Sequence, residues 1–485
     1  MFFYHNSESS ARAFSAIRKS FQVTDDTSFG GVLTERDIEK AFEDAECEFG
    51  RRADAVFTPA VTLWAFLSQM LFTGAARSCD AAVVRIQQML GALGQNACSG
   101  LSGAYCKARA KIAEAVPVSL IRSTGEKAER LGKDAWMWNG RRHVFLVDGA
   151  VVSGPDTAEN QAEYPQASRQ AEGCGFPLMR VLVLVSLITG MVRNVAVSPY
   201  SGKGCSENGM FRKVLPSIPA GSVVVGDQYY GSYFGIAAML LQKADIVTRL
   251  TTRRVEALGD PDQCETRENG ETFMTWKRPV RPAWMTPERY AEMPETLTLR
   301  VVTVTVAEKG FRVERFHVAT TLLDAERDPS DTLAWLYRKR WHVEIDLRAI
   351  KTHMALDILR GKTPHMMRLE LFVGLLAYNL IRLKLLIAAS QSDDITPRDV
   401  SFTSALTALS AGYTLILWMP PEHFAVWTHL QTRELPKHRV GHRPGRVEPR
   451  VVKRCPKPFP KMGQPRHELR RRLVDSTEIK NAGNL

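Results

Sequence analysis

The sequence predicts an α/β fold, with a mixed β-sheet flanked by helices and a helical N-terminal domain before it. Three observations support this prediction. Residues 1–135 carry apolar side chains at helical spacing, residues 143–250 contain repeated β-branched runs, and residues 330–390 return to helical spacing. Helices on both sides of a run of strands are typical of a domain in which helices pack on a sheet.

The first 135 residues are expected to form a helical DNA-binding domain. Thr34 and Asp37 have the spacing of a capping box, and Pro59 suits the first turn of a second helix. Two more helices, in SCDAAVVRIQQMLGAL and SGAYCKARAKIAEA, are separated by a short turn. This pair is typical of either a helix-turn-helix DNA reader or a plain helical hairpin. The first interpretation places four side chains of the second helix in solvent: Tyr105, Lys107, Arg109 and Lys111.

The β-branched runs from residue 143 onward predict the sheet. HVFLVD, MRVLVLVSLIT and MVRNVAVSPY predict three successive strands, and SVVVGD and ADIVTRL predict two more, separated by a helix in YYGSYFGIAAMLLQK. The next segment is rich in turns and ends in two alternating runs, TLRVVTVTV and FRVERFHVATTLL, around EKG. We interpret it as a β-rich insertion, after which the pattern predicts helices at 330–356 and 366–390.

These patterns divide the chain into five segments. Beyond Leu435 the composition shifts to Pro, Arg and Lys, which predicts an extended basic tail. The segments are a helical N-terminal domain at 1–135, the first part of the core at 136–250, the β-rich insertion at 251–325, the second part of the core at 326–395, and a helical C-terminal segment with the basic tail at 396–485.

The charge of the chain predicts a polyanionic partner, and nucleic acid is the first candidate. The formal net charge is +12, and it is unevenly placed, because residues 431–485 hold 15 lysines and arginines against 5 acidic residues. The alternative for such a tail is a disordered segment that only increases solubility.

The cysteines and the apolar runs indicate a cytoplasmic protein without a membrane partner. Eight cysteines are scattered without a C-x-x-C pair, which argues against a zinc site and a disulfide framework. The N-terminus has no apolar signal segment. VLVLVSLITGMV is too short to cross a bilayer, and LFVGLLAYNLIRLKLLIAA contains Asn379, Arg382 and Lys384, so both are expected to be core elements.

Three carboxylates are candidates for a metal site. Asp148 follows the apolar run VFLV and Asp227 follows SVVVG, so both are expected at strand ends, where distant residues converge. The alternatives are a hairpin turn at Asp148–Gly149 and a helix N-cap at Asp227. Glu344 is the third acid. Such oxygen ligands suit two Mg²⁺ or Mn²⁺ ions about 4 Å apart, an arrangement that performs phosphoryl transfer on nucleic acid.

The segment YRKRWHVEIDLRAIKTH, residues 337–353, gathers charged and aromatic side chains. At about 100° per residue, Tyr337, Arg340, Glu344 and Lys351 share one side of a continuous helix, beside an apolar stripe, and Asp346 points away from them. The alternative is an amphipathic helix with an ordinary solvated face. In the first interpretation, the basic residues hold DNA phosphates and the aromatic residues stack on an unpaired base.

The spacing Y-x-x-R-x-x-x-E-x-x-x-x-x-x-K at Tyr337, Arg340, Glu344 and Lys351 resembles the signature of DDE transposases of the bacterial insertion-sequence-4 family. VDGAVVSGPDTAENQAEYPQ around Asp148 and GDQYYGSYF also fit that family, and the resemblance covers at least residues 57–390. It implies an RNase H-like core in which Asp148, Asp227 and Glu344 bind two Mg²⁺ or Mn²⁺ ions as the catalytic triad.

The same resemblance implies partners and further roles. The enzyme would bind the terminal inverted repeats of its element and target DNA as double-stranded substrates, and would pair two ends in a synaptic homodimer. Tyr337, Arg340 and Lys351 would bind the distorted DNA end, with Arg348 as a further phosphate contact. Trp276 or Trp284 would either stack on a base or belong to the core. The alternatives are a metal-dependent nuclease of the same fold and a catalytically silent DNA-binding regulator.

Overall fold

The computed structural model describes residues 14–25, 29–50, 52, 55–92, 94–95, 98–202, 205–258, 264–267, 270–306, 314–441, 463–472 and 474. At its centre is one mixed sheet with helices packed on it, which confirms the predicted α/β class. The strands are β1 (Val144–Ser153), β2 (Leu178–Ser186), β3 (Val192–Pro199), β4 (Val223–Gly226), β5 (Asp245–Leu250), β6 (Cys264–Thr266), β7 (Thr272–Lys277), β8 (Thr296–Val306) and β9 (Glu314–Thr320).

The strand order is β3-β2-β1-β4-β5-β9-β8-β7-β6. Strands β4 and β5 run parallel to β1, whereas β2 is antiparallel to β1 and β3 is antiparallel to β2. The last four strands are antiparallel and join the sheet where β9 pairs with β5. The segment expected to be a β-rich insertion therefore extends the central sheet. The tip of its hairpin, the EKG sequence, lies outside the described residues.

Helices cover both faces of the sheet, and two apolar clusters form, one on each face. A short helix spans residues 14–20. The other α-helices described are Glu35–Asp44, Pro59–Leu71, Cys79–Ala92, Gly103–Arg109, Ala115–Arg130, Ala158–Glu163, Glu207–Val214, Tyr233–Leu241, Thr252–Leu258, Pro287–Ala291, Ser330–Arg338, Trp341–Arg348, Pro364–Ser390, Phe402–Gly412 and Pro421–Glu434.

The local signals of the N-terminal region specify its helices. Thr34 and Asp37 form the reciprocal hydrogen bonds of a capping box, and Pro59 occupies the first turn of its helix. The exposure expected for Tyr105 was wrong: its side chain is fully buried, and its hydroxyl donates to Gln69 Oε1 at 2.6 Å. Arg109 is half-buried, with its guanidinium 4.9 Å from the ring centre of Phe66. These two residues therefore serve packing between helices.

The 27-residue helix Pro364–Ser390 is the central helix of the larger apolar cluster. Its length and hydropathy would allow it to cross a membrane, but its most apolar window is entirely buried within the protein, as a core helix would be. Asn379 is one of the polar residues of this helix, and its buried amide is satisfied by β3. Its side chain accepts from the Val192 amide at 2.8 Å and donates to the Val192 carbonyl at 2.9 Å. The expectation of a buried core element is confirmed.

The helix expected at 330–356 is divided. Ser330–Arg338 and Trp341–Arg348 are separate α-helices, and a π-helical segment, Ala349–His353, follows. At the junction the amides of Arg340 and His342 bond to carbonyls three residues earlier, at 3.0 Å in each case. Such i→i+3 bonds tighten the backbone and change the phase of the side chains. The single helical wheel was therefore only an approximation.

Candidate active site

Asp148 lies in the middle of β1, not at the end of a strand. The strand continues to Ser153, and Asp148 pairs with Val183 of β2, so the strand-end expectation and the hairpin alternative were both wrong. The parallel partner β4, however, ends at Gly226, short of this position. Asp148 is thus on a strand that extends past its neighbour, which leaves its side chain half-buried.

Asp227 directly follows β4, as expected, and lies beside Asp148. The parallel register pairs Val144 with Val223 and Leu146 with Val225, and two more residues along each strand bring Asp148 opposite Asp227. Neighbouring strands are about 4.8 Å apart. The N-cap alternative for Asp227 was wrong, because the next helix is capped by Ser232; Asp227 instead accepts the Tyr229 amide at 2.8 Å in a local turn.

Both aspartates face the side of the sheet on which the Glu344 helix packs. The even-numbered residues of β1 and the odd-numbered residues of β4 lie in the apolar cluster that contains Val343 and Leu347. Because side chains alternate along a strand, Asp148 and Asp227 point to that same face. The helix Trp341–Arg348 contacts β1 directly.

Arg340 links two of the three predicted carboxylates. Its guanidinium donates to Glu344 Oε1 at 2.7 Å and lies 3.9 Å from Asp148 Oδ2. The three side chains are between 20% and 34% exposed, so the ion pairs are partly shielded from water but open to a ligand. Glu344 is therefore joined to Asp148 through a positive charge.

The electrostatics of the site are dominated by burial of negative charge. The pKa of Asp148 is raised to about 6, mainly by burial and in smaller part by the charges of Asp227 and Glu207. The Gly149 amide, which donates to Asp148 Oδ1 at 2.8 Å, and the Arg340 guanidinium both oppose the shift. A cation or a hydrogen-bond donor brought to this side chain would relieve the cost of its burial.

The remaining predicted residues lie along the same helical segments. Tyr337 is buried against the Phe316 ring, at 5.4 Å between ring centres, and burial raises the pKa of its phenol while the adjacent Arg340 lowers it. Arg348 is exposed, and Lys351 is half-buried in the π-helical segment. Within the described residues, no hydrogen bond or ion pair joins either of these two to the three carboxylates.

Sequence reasoning missed two residues at this site, Glu207 and Tyr230. Glu207 approaches β1 from the opposite face, and a Cβ added at Gly149 would lie 2.9 Å from its Oε1, so a side chain there would displace the Glu207 carboxylate. Arg180 donates to Glu207 at 2.9 Å. Tyr230 is fully buried, and burial together with the nearby carboxylates raises its pKa, which keeps its hydroxyl protonated. The available signal for Tyr230 was its position in GDQYYGSYF.

The structure distinguishes the two tryptophans of the insertion that were candidates for stacking on a base. Trp276 is buried, with its ring 5.5 Å from Tyr233 in an edge-on contact, and therefore belongs to the core. Trp284 is 51% exposed, and the Arg212 guanidinium lies 3.7 Å from its ring centre. It lines a cavity of about 360 Å³ together with Asn208, whose side chain donates to the Tyr229 carbonyl beside Asp227.

The three predicted carboxylates are of the ligand type that binds a divalent ion. Asp148, Asp227 and Glu344 offer only carboxylate oxygens, the ligands preferred by Mg²⁺ and Mn²⁺. Within the part of the chain that the structure describes, however, no three His, Cys, Asp or Glu side chains are already gathered as a metal site. Glu344 is instead paired with Arg340 through Oε1.

Comparison with known proteins identifies the family. A family model for the transposase DDE domain matches residues 139–380, which contain all three carboxylates. The chain is also 25% identical over 306 residues to the transposase of insertion sequence element IS4 from Escherichia coli strain K12. The chain belongs to the DDE transposases of the insertion-sequence-4 family. DDE transposases generally use divalent metal ions.

The extent of each likeness differs. The match to the Escherichia coli transposase covers 61% of this DDE transposase and 66% of the relative, just under two thirds of its length. A putative transposase of Sinorhizobium fredii is 34% identical over 64 residues, 13% of this chain and 18% of that relative. A solved piggyBac transposase synaptic complex with hairpin DNA matches 89% of this chain and 86% of its own at 10% identity, with a TM-score of 0.41, too low to establish a common fold.

Proposed function

We propose that this protein catalyses cut-and-paste transposition of an insertion sequence, with Asp148, Asp227 and Glu344 as its catalytic triad. The observation that supports this most directly is the placement of the two aspartates on adjacent strands, on the face where Arg340 joins Glu344 to Asp148. These residues come from three separate parts of the sequence, and a purely structural role would not require an acidic cluster that burial penalises.

The strand arrangement supports an RNase H-like core. Five strands in the order β3-β2-β1-β4-β5 surround the site, with β1, β4 and β5 parallel and β2 antiparallel to β1. The order reverses between β1 and β4, where Asp148 and Asp227 lie side by side. In open α/β sheets, such a reversal is where ligands bind.

The triad would hold two Mg²⁺ or Mn²⁺ ions, which, when bound, activate the attacking oxygen and stabilise the leaving oxygen of phosphoryl transfer. The other residues of the site would act on DNA itself. Arg340 sits between two carboxylates with a forked guanidinium that suits phosphate equally well. Once a phosphate replaces Glu344 as its partner, Glu344 is released to serve as a ligand.

The DNA contacts extend along the two helices. Tyr337 is fixed by its packing on Phe316 and would donate its hydroxyl to a phosphate beside Arg340. Arg348 and Lys351 would hold phosphates further along the strand. Trp284, exposed and stacked under Arg212, would support an unpaired base of the distorted end.

The substrates would be double-stranded terminal inverted repeats and target DNA, and two ends would be paired by a homodimer. The reaction would begin with a nick that frees a 3′ hydroxyl. That hydroxyl would attack the opposite strand to form a hairpin, and after hairpin opening the 3′ ends would attack target DNA. The basic tail would add sequence-independent attraction to DNA, and the enzyme would act in the cytoplasm without a membrane partner.

The test is cleavage of the DNA that carries the protein's own coding sequence with its flanks, incubated with the purified protein and Mg²⁺. We expect flank-specific breaks that EDTA abolishes, and we expect Asp148→Asn and Asp227→Asn to abolish them as well. The matched control is Asp357→Asn, an exposed aspartate whose backbone carbonyl accepts from Ser153 at the end of β1. That variant should cleave as the wild type does.

Two outcomes would contradict the proposal. Cleavage at random positions, without preference for the flanks and without strand transfer, would indicate a nuclease of the same family. Tight binding to the flanks without cleavage by the wild type in Mg²⁺ or Mn²⁺ would indicate a DNA-binding regulator.

A further inference from the structure

A large cavity lies behind the helices that carry the proposed active site. Its volume is about 970 Å³, within the range of about 300–1,000 Å³ typical of ligand pockets. Its lining includes Trp335, Arg338 and Lys339, which belong to the same helical segment as Tyr337 and Arg340. Residues 135–139, which precede β1, also line it.

The lining combines aromatic rings with cations. Trp335 is 44% exposed, and the Lys339 ammonium lies 4.7 Å from the centre of its ring. The lining also includes the indoles of Trp136 and Trp138 and the side chain of Arg338. Exposed indoles beside flexible cations are the recurring components of sites that stack a base and neutralise its phosphate.

Trp138 provides an independent indication of a ligand. Its side chain is only 5% exposed and lines the cavity, yet its indole N–H has no acceptor within the part of the chain that the structure describes. A buried donor without an acceptor destabilises the protein, because its hydrogen bond to water is lost and not replaced. A ligand with carbonyl or phosphate oxygens would supply the missing acceptor.

The acidic residues of the lining are already engaged with the backbone or with local side chains. Asp399 accepts from the Thr396 amide and hydroxyl at 2.8 Å each, and Asp331 accepts from the Thr332 amide at 2.9 Å. Arg398, which also lines the cavity, is held by Asp346 and by the carbonyl of Ser186. The lining groups offered to a ligand are therefore the indoles and the Lys339 ammonium.

The cavity is close to the proposed active site but separate from it. Leu187, in its lining, donates its amide to the Val144 carbonyl at the first residue of β1. Asp148 is four residues further along that strand, about 13 Å away at about 3.3 Å per residue. A strand of a few nucleotides would reach from one to the other.

We infer that this cavity binds an unpaired nucleotide of a DNA strand, with its base against Trp335 and its phosphate beside Lys339. The inference takes DNA as the ligand class from the proposed function, and the cavity itself adds a second, single-stranded contact on the far side of the catalytic helices. A paired base cannot enter, because its edge and both faces are already occupied in the duplex.

The first experiment measures binding of a short fluorescein-labelled oligothymidylate by fluorescence anisotropy. Base stacking on an aromatic side chain contributes about 1–3 kcal/mol, so Trp335→Ala should weaken binding by about 5- to 150-fold. Trp335→Phe, which keeps a stacking surface, should restore most of the affinity. Lys339→Ala should reduce the slope of log affinity against log salt by about one.

The matched control is Trp418→Ala. Trp418 is 57% exposed and lies beside Gly91, away from this cavity. Because the basic tail also attracts DNA, location is measured separately. An oligonucleotide containing 5-iododeoxyuridine is crosslinked to the full chain by light, and the modified peptide is identified by mass spectrometry. We expect the crosslink on Trp335 or Trp136.

Each outcome decides the inference. Equal affinities of Trp335→Ala and Trp418→Ala, or a crosslink confined to other segments, would overturn it. Competition by thymidine monophosphate as effective as that by the oligonucleotide would assign the cavity to free nucleotides and would also overturn it. If the wild type cuts its own flanks while Trp335→Ala binds the oligonucleotide normally, this inference fails and the proposed function stands. If no DNA is cut but Trp335→Ala loses oligonucleotide binding, the proposed function fails and this inference stands.

Discussion

Glu344 and Asp346 lie two residues apart on one helix, and the protein surrounds their carboxylates in opposite ways. Asp346 is fully buried and accepts from the Tyr378 hydroxyl at 3.0 Å, from Arg398 at 2.7 Å and from Arg382. Glu344 is 34% exposed and is held by Arg340 from the same segment. A carboxylate surrounded by donors from other elements fixes the fold. One held by a single local partner remains available to a ligand.

The largest expected effect comes from removing the charge of the available carboxylate. Glu344→Gln should lower cleavage at least about 10³-fold, about 4 kcal/mol in the activation free energy, because a proposed metal ligand is lost. The free energy of unfolding should change by less than about 1 kcal/mol, because the Arg340 pair is partly exposed. Cleavage assays and urea unfolding measure the two quantities, and DNA-end binding should persist. Loss of binding together with cleavage would contradict the assigned role.

Removing the buried carboxylate should have the opposite result. Asp346→Ala should lower the free energy of unfolding by about 3–5 kcal/mol, because Arg382 and Arg398 are left as buried cations without their counter-charge. The control is Asp393→Ala, which breaks an ion pair with Lys133 in which the aspartate is 96% exposed. That variant should leave the free energy of unfolding unchanged within the error of the measurement, because water screens a fully exposed ion pair. Equal effects of the two substitutions in urea unfolding would show that burial does not distinguish these carboxylates.

Lys384 sharpens the comparison, since it is a buried charge without such partners. It is 1% exposed on the central helix, its ammonium has no acceptor among the described residues, and burial lowers its pKa to about 7. Below that pH the buried lysine is charged and destabilises the fold. As pH rises from about 7 toward the usual value of 10.5, the unfolded chain holds the extra proton, so stability increases.

Lys384→Met should therefore raise the free energy of unfolding by about 1–4 kcal/mol at pH 7. The gain should shrink steadily between pH 7 and pH 10, the window set by the two pKa values. Urea unfolding of wild type and variant across that window provides the measurement. A difference that does not depend on pH would mean that packing alone, and not the charge, separates the two proteins.

The smallest expected effect concerns Arg340. Arg340→Lys keeps the positive charge but loses the fork that reaches both Glu344 and Asp148, so cleavage should fall by about tenfold. Arg348→Lys serves as the control, because Arg348 is exposed and only its charge is proposed to matter. An equal loss of cleavage in both variants would argue against the linking role of Arg340.

Local chemistry made much of the fold predictable from the sequence. The cap at Thr34, the proline at the start of the Pro59 helix and the β-branched runs act over a few residues, and the structure contains all of these elements. The position of Asp227 at the end of β4 was also predictable from local sequence. Its motif placed it correctly because the strand stops at Gly226.

What the sequence did not predict depends on contacts between distant segments. Asp148 lies mid-strand because β2 pairs along the whole length of β1, and Tyr105 is buried because Gln69 of another helix accepts its hydroxyl. The division of the Glu344 helix arises from hydrogen bonds at one junction. Glu207 had no motif, and its carboxylate lies close to Gly149 of a strand distant in sequence.

The extension of the central sheet by strands β6 to β9 has a consequence for biosynthesis. Asp148 and Glu344 are 196 positions apart in the chain, and the inserted strands pair with β5 before the Glu344 helix is reached. At about 5–20 residues per second, a ribosome needs about 10–40 s between the two residues. The nascent chain thus emerges with a partly built sheet and high contact order, and catalytic competence is acquired only after most of the polypeptide has been translated.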